Sequence, residues 1–175
     1  MRVALIGAGD PSVSAEWNGI SLLDDFQFSD GSSRRVAWLS LGVTATATAT
    51  VTVTATGVCE VIVVAVERVA GLGTNAYVPL SGGLDGGTTS QPDSGAASAF
   101  YGFQAGLFLV ETSSAPSGTW DAPFTGTQDD NAEWFPGAFA GGYVGFLVAG
   151  PGTIQATMTV SPLPDGWLGG WVSYE

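Results

Sequence analysis

The sequence predicts an all-β fold: a two-sheet antiparallel β-sandwich, jelly-roll-like, with long loops. Three observations point there. The 175 residues include 26 Gly and 9 Pro, which interrupt helices. No window of a dozen residues carries a helical period, while Thr and Val, whose branched side chains favour strands, are abundant. Within residues 44–56 every even position is Thr and every odd one is Ala or Val, an alternation that a strand turns into two distinct faces.

Taken in order, residues 3–6, 15–18 and 20–22 are short candidate strands. They lie in a first segment, residues 1–30, that is either an N-terminal arm or the first strands of the sandwich domain, which occupies residues 31–175. A strand at 35–41 carries Trp38. The Thr strand at 44–56 sets seven hydroxyls on one side and small apolar groups on the other, so it reads as half-buried. After Gly57, residues 58–69 are almost continuously apolar, the pattern of a central strand covered on both faces. Further strands are expected at 106–111, 143–149, 152–160 and 167–174. Residues 71–97 and 113–137, rich in Gly, Ser, Thr and Pro, read as two long loops. Seven to ten strands in a chain of this length, with no linker dividing them, make one sandwich.

Composition narrows the chemistry. Sixteen Asp and Glu stand against four Arg, with no Lys and no His, for a net charge of -12. Without His there is no Ser-His-Asp or Cys-His relay and no imidazole metal ligand; without Lys there is no Schiff base and no P-loop lysine. A nucleic-acid surface needs Lys and Arg against phosphates, which this charge would repel. No membrane partner is expected either. The uncharged stretches 36–59 and 138–164 are broken by Thr, Gly and Pro, the regular repeat of an outer-membrane barrel is missing, and the apolar run at the N-terminus is too short for an export signal. The lone Cys59 lies in an apolar run and is expected to pack as a small hydrophobe.

Leu5-Ile6-Gly7-Ala8-Gly9 opens like a dinucleotide fingerprint, but Ser12 stands where the third Gly belongs, and a turn after a first strand is the better account. Asp24, Asp25, Asp85 and Asp93 read as solvated loop charge; glycoside hydrolysis needs two carboxylates facing across a cleft. Asp129, Asp130, Asn131 and Glu133 are the grouping that could hold Ca2+, as hard oxygen donors on a loop, though their spacing fits no defined loop motif. The Thr face is expected to meet solvent or another subunit. Of the six Trp, Trp17, Trp38 and Trp171 fall in strand patterns and are expected in the core. Trp120, Trp134 and the adjacent Phe135, within 113–137, are the candidates for contact with a protein or glycan. No catalytic residue is assigned.

Four segments together resemble a β-sandwich family of bacteriophage virion accessory proteins that also recurs in bacterial surface proteins. They are Trp17-Asn18-Gly19-Ile20-Ser21-Leu22; Arg35-Val36-Ala37-Trp38-Leu39-Ser40-Leu41; the Thr strand leading through Gly57 into residues 61–71; and residues 152–160 followed by 167–174. The pattern covers most of residues 15–175. The resemblance implies a non-enzymatic virion structural protein: a capsid decoration (cement or head-fibre) protein or a tail-fibre module, with no catalytic residues to carry over. The leading expectation is a protein on the outer surface of the capsid. It would bind the major capsid protein through its N-terminal segment and loops, and form a homo-oligomer, expected as a trimer. The residues support cover by neighbours independently, because 51–56 and 61–66 are low-charge β segments and no Lys blunts an edge. The surplus acid would keep the remaining surface soluble. The alternative expectation is a carbohydrate- or host-receptor-binding module of a tail fibre or spike, with Trp120 and Trp134 against a host surface glycan.

Overall fold

The computed structural model describes residues 1–42, 49–66, 79–88, 90–99, 102–149 and 151–174, with the backbone alone at some strand positions, 127–130 among them. Strands β1 (Arg2–Trp17), β3 (Leu23–Ser29), β4 (Arg34–Ser40) and β5 (Val51–Ala65) form a first antiparallel sheet in the order β5-β1-β4-β3, with the two-residue β2 (Ile20–Ser21) against the end of β1. Strands β6 (Pro79–Gly87), β8 (Gly102–Thr112), β10 (Thr125–Phe135), β11 (Ala138–Ala149) and β13 (Gly166–Tyr174) form a second, in the order β10-β11-β8-β13-β6. Strands β7 (Asp93–Ala99), β9 (Ser117–Trp120) and β12 (Gly152–Ser161) form a third, in the order β7-β12-β9. The chain is thus an all-β sandwich of antiparallel sheets. Among the described residues there is no helix, hence none long and apolar enough to cross a membrane.

The expected pair of packed sheets is present, and a third lies on the far side of the second. The central strands β8 and β13 of the five-stranded sheet are therefore buried on both faces. Period-2 alternation along β8 sends Ala105, Leu107 and Leu109 toward the first sheet, where they meet Ala4, Ile6, Val36 and Trp38. Phe108 and Val110 point the other way, into a core with Trp167 and Trp171 of β13 and Ile154, Ala156 and Met158 of β12. Two-face burial matches residues 105–110 of β8, all buried and without a polar side chain. Polar atoms tie the first two layers together. The Trp38 indole N–H donates to Ala105 O at 2.9 Å, and the buried Arg2 guanidinium donates to Gly106 O at 2.5 Å and to Gly145 O.

A third core covers the outer face of the first sheet, and the same strands build it. Along β1 the pairing with β5 shifts register between Ala8 and Ser12, where Gly9 has φ +80° and Gly57 on β5 has φ +90°. The second half of β1 and the start of β5 then bring Val13 and Ala15 into one buried cluster with Val3, Leu5, Ala37 and Leu39. Gly7 lies just before this bend, and a Cβ there would sit 2.3 Å from Val58 O. The Leu5–Gly9 motif is accordingly not a turn ending a short strand but the bend of one long strand.

Several expectations are corrected. Of the two readings of residues 1–30, the structure has strands of the sandwich and not an arm: β1 is an interior strand of its sheet, and Val3, Ala4, Leu5 and Ile6 are all fully buried. Residues 58–65 are not a central strand; they continue β5, whose only hydrogen-bonded neighbour among the described residues is β1, and Val58 is 83% exposed. The predicted loop 113–137 holds β9 and β10, and the described part of 71–97 holds β6 and most of β7. These Gly-rich strands form because neighbouring aromatics fill the space a side chain would take: a Cβ at Gly87 would lie 2.9 Å from the Trp167 indole nitrogen. The first half of the Thr ladder, positions 44–48, lies outside the described residues. Its second half behaves as expected, with Thr52, Thr54 and Thr56 exposed and Val51, Val53 and Ala55 half-buried.

Candidate functional site

The aromatic pair singled out by the sequence sits at the β10–β11 hairpin. Phe135 pairs with Ala138 across a turn completed by Gly137 at φ +79°, and Glu133 accepts the Gly137 N–H at 2.8 Å. Alternation splits the two rings. Trp134 packs against the core between the first two sheets, while Phe135 is 63% exposed; the ring centroids are 6.2 Å apart. Phe135 is therefore the exposed side chain of this tip.

Trp120 ends β9 elsewhere on the molecule and turns inward. Its ring lies 5.2 Å from Phe108 and 5.5 Å from Phe124, over the glycines of β8, β10 and β11. It is half-buried, and its indole nitrogen is enclosed with no acceptor among the described residues. The structure does not bring Trp120 and Trp134 into one site. Of the Ca2+ candidates, Asn131 and Glu133 stand on β10 rather than on a loop, and the side chains of Asp129 and Asp130 lie outside the described residues. No group of three or more His, Cys, Asp and Glu suited to a metal occurs among the described residues.

A polar junction between the first two sheets escaped the sequence reading. The turn before β4 is built on Asp30, whose Oδ1 accepts the N–H groups of Ser32, Ser33 and Arg34 at 2.9 to 3.0 Å. Arg34 Nε then lies 2.8 Å from Asp30 Oδ2 and 3.2 Å from Glu111 Oε2 on β8. Burial works to raise the Asp30 pKa, but the three backbone donors and Arg34 outweigh it and hold the carboxyl well below the usual range. At Glu111 burial wins: its pKa is raised, with Arg34 opposing and Asp30 and Asp165 adding to the rise. Beside this junction Phe28, Asp30, Arg34, Asp85, Thr88 and Trp167 line an open groove of about 290 Å³. Arg34 is already engaged by two carboxylates, so the junction reads as a structural clasp between the sheets.

Asp25, expected as solvated loop charge, is instead half-buried on β3. It accepts hydrogen bonds from Ser40 Oγ and Tyr174 Oη, each at 2.8 Å, and burial raises its pKa. Fold and surface together define a class, an all-β protein of stacked antiparallel sheets with an aromatic hairpin tip and a long strand, β5, that has one hydrogen-bonded neighbour among the described residues. No family model, no curated protein and no solved structure matches this chain.

Proposed function

We propose that the chain is a non-enzymatic assembly protein, a virion structural protein that decorates the outer surface of a bacteriophage capsid by binding the major capsid protein. The observation that carries the reading is β5. It runs 15 residues with one hydrogen-bonded neighbour among the described residues, and it exposes Val58, Val64 and the following Val66. A long, weakly charged edge invites pairing with another chain, and a protein meant to stay alone blunts it with Lys, Pro or inward charge. Here Glu60 is the one charge in the strand, while the acid elsewhere favours solubility. Many copies of a modest contact across a capsid lattice sum to a large stabilisation.

The test is co-sedimentation of the purified chain with phage heads stripped of accessory proteins. Saturable binding, lost on Val58→Asp, supports the reading; no binding to heads overturns it. Deleting residues 1–31 does not serve as the test, because it removes β1, an interior strand that contributes to two of the three cores. A second reading, a glycan- or receptor-binding module, draws on the exposed Phe135 beside Trp134, since aromatic faces stack on sugar rings. Glycan-array binding abolished by Phe135→Ala would favour it over capsid decoration.

A further inference from the structure

We propose that residues 51–57 of β5 pair antiparallel with the same segment of a second copy, about a two-fold axis at Thr54. The backbone fixes which groups are available. Asn18 N–H donates to Thr50 O at 2.8 Å and Thr50 N–H donates to Asn18 Oδ1 at 2.7 Å, so both main-chain groups of Thr50 point toward β1. Direction alternates along a strand, and the pairing runs without a register shift from Ser12↔Thr56 to Trp17↔Val51. Thr52, Thr54 and Thr56 therefore bond inward to β1, while the N–H and C=O groups of Val51, Val53 and Ala55 point outward, where no described strand is bonded to them.

A two-fold at Thr54 uses those groups and matches the side chains. Val53 of each copy faces Ala55 of the other as a hydrogen-bonded pair. Thr54 faces Thr54, and Thr52 faces Thr56, as non-hydrogen-bonded pairs, in which side chains approach most closely. Because the strand alternates strictly, this register sets hydroxyl against hydroxyl on the exposed face and Val against Ala on the half-buried one. Across the junction Ser14, Thr54 and their two mates make one hydroxyl row over four strands. This self-matching of one segment with itself selects a second copy as the occupant, and charge permits it. Two chains of net charge -12 repel over most of their surfaces, but residues 51–59 carry no charge, and Glu16, the acid paired beside Thr52, is held one strand back from the contact. The unit is a two-fold dimer, where the sequence expectation was a trimer.

Sedimentation velocity on the full chain over a concentration series is expected to show a monomer–dimer equilibrium. Ala55→Pro removes an outward N–H and leaves the β1 ladder intact, so it should weaken the dimer by about tenfold or more. Thr54→Lys sets like charges face to face on the axis and should do the same. In a Cys59→Ser background, Thr54→Cys treated with the thiol oxidant diamide should give a disulfide-linked dimer, since such pairs bring Cβ atoms to about 4.5–5.5 Å. Thr52→Cys, about 13 Å from its own mate in this register, should not. Thr54→Cys changes little bulk, so the cross-link decides the matter even if the larger substitutions unfold the chain. A monomer at every concentration, equal cross-linking at positions 52 and 54, or a dimer unchanged by both Ala55→Pro and Thr54→Lys overturns the proposal. The inference rests on the assembly reading only in needing an uncovered edge. A monomer that binds heads sinks the dimer alone, and a dimer that ignores heads sinks the capsid reading alone.

Discussion

Replacing Arg34 by Met should destabilise the fold by about 3 kcal/mol near pH 7 and by less near pH 5. The Arg34 side chain is 15% exposed, between Asp30 and Glu111 at 17% and 19%. Removing one partner from a buried ion pair costs about 3–5 kcal/mol because the remaining charge is stranded, and the residual exposure here places the loss at the lower end. For a chain of this size each kcal/mol moves Tm by roughly 2–4 °C, so Tm should fall by roughly 6–12 °C. The pH dependence follows from Glu111. Its folded pKa is already raised by burial, so its charged form opposes folding at neutral pH, and stability is gained as pH falls through that pKa. Without Arg34 the pKa rises further, and mild acid neutralises the stranded carboxylate. Asp30 has the opposite sign: its depressed pKa contributes stability above the unfolded value that is lost only in strong acid, and its three backbone donors survive the substitution. Urea unfolding of the parent, Arg34→Met, Glu111→Gln and the double variant at both pH values checks this. Additive losses with no coupling between the two positions, or a loss equal at both pH values, would refute the clasp.

Three further outcomes are expected. Leu107→Ala, fully buried between the first two sheets, should cost about 2–5 kcal/mol in chemical denaturation. Tyr174→Phe removes one donor to the half-buried Asp25 carboxylate and should cost about 1–3 kcal/mol near pH 7, a loss that shrinks as pH falls because the Asp25 pKa then rises further; thermal unfolding at two pH values reads both. Gly145→Ala would set a Cβ 2.6 Å from Trp120 Cε2 and should cost about 1–3 kcal/mol, partly restored when Trp120→Phe is added, as a double-mutant cycle in urea would show.

The strands that the sequence made legible are those whose burial leaves a pattern. Residues 105–110 of β8, covered on both faces, carry no polar side chain, and residues 51–56 read as alternation because one face meets solvent. The errors share a cause. Residues 58–65 are as apolar as a central strand, but among the described residues they lie at a sheet edge with Val58 exposed, and nothing local records which edge of a sheet a strand will occupy. In the sequence the long β1 reads as short pieces because its bend at Gly9 looks like a chain turn; only the matching Gly57 on its partner shows that two strands bend together. Of the candidate side chains, the exposure of Phe135 follows from strand alternation beside Trp134. The Asp30 turn is written in Asp30-Gly31-Ser32-Ser33-Arg34, whereas Glu111 reaches Arg34 only through the packing of two sheets.

Glycine was the most misleading residue type, and the reason is geometric. A sheet packed on both faces must seat large side chains from two neighbouring layers, and a strand of uniformly large residues would hold those layers too far apart. In this molecule the space comes from backbone without side chains. Trp120 lies against Gly106, Gly126 and Gly145, Tyr143 against Gly118 and Gly141, and Trp167 and Trp171 against Gly87 and Gly83. These glycines serve as sockets, distinct from Gly9 and Gly57, where an added Cβ meets nothing and the positive φ is the constraint. A Gly-rich, Trp-rich composition in an otherwise β-forming chain is therefore better read as aromatic side chains seated on bare strands than as loops between strands. That reading also accounts for the charge distribution. With three cores filled by aromatics and aliphatics in so short a chain, most of the described acids are left to turns, rims and outer faces, while residues 51–59 of β5 carry no charge.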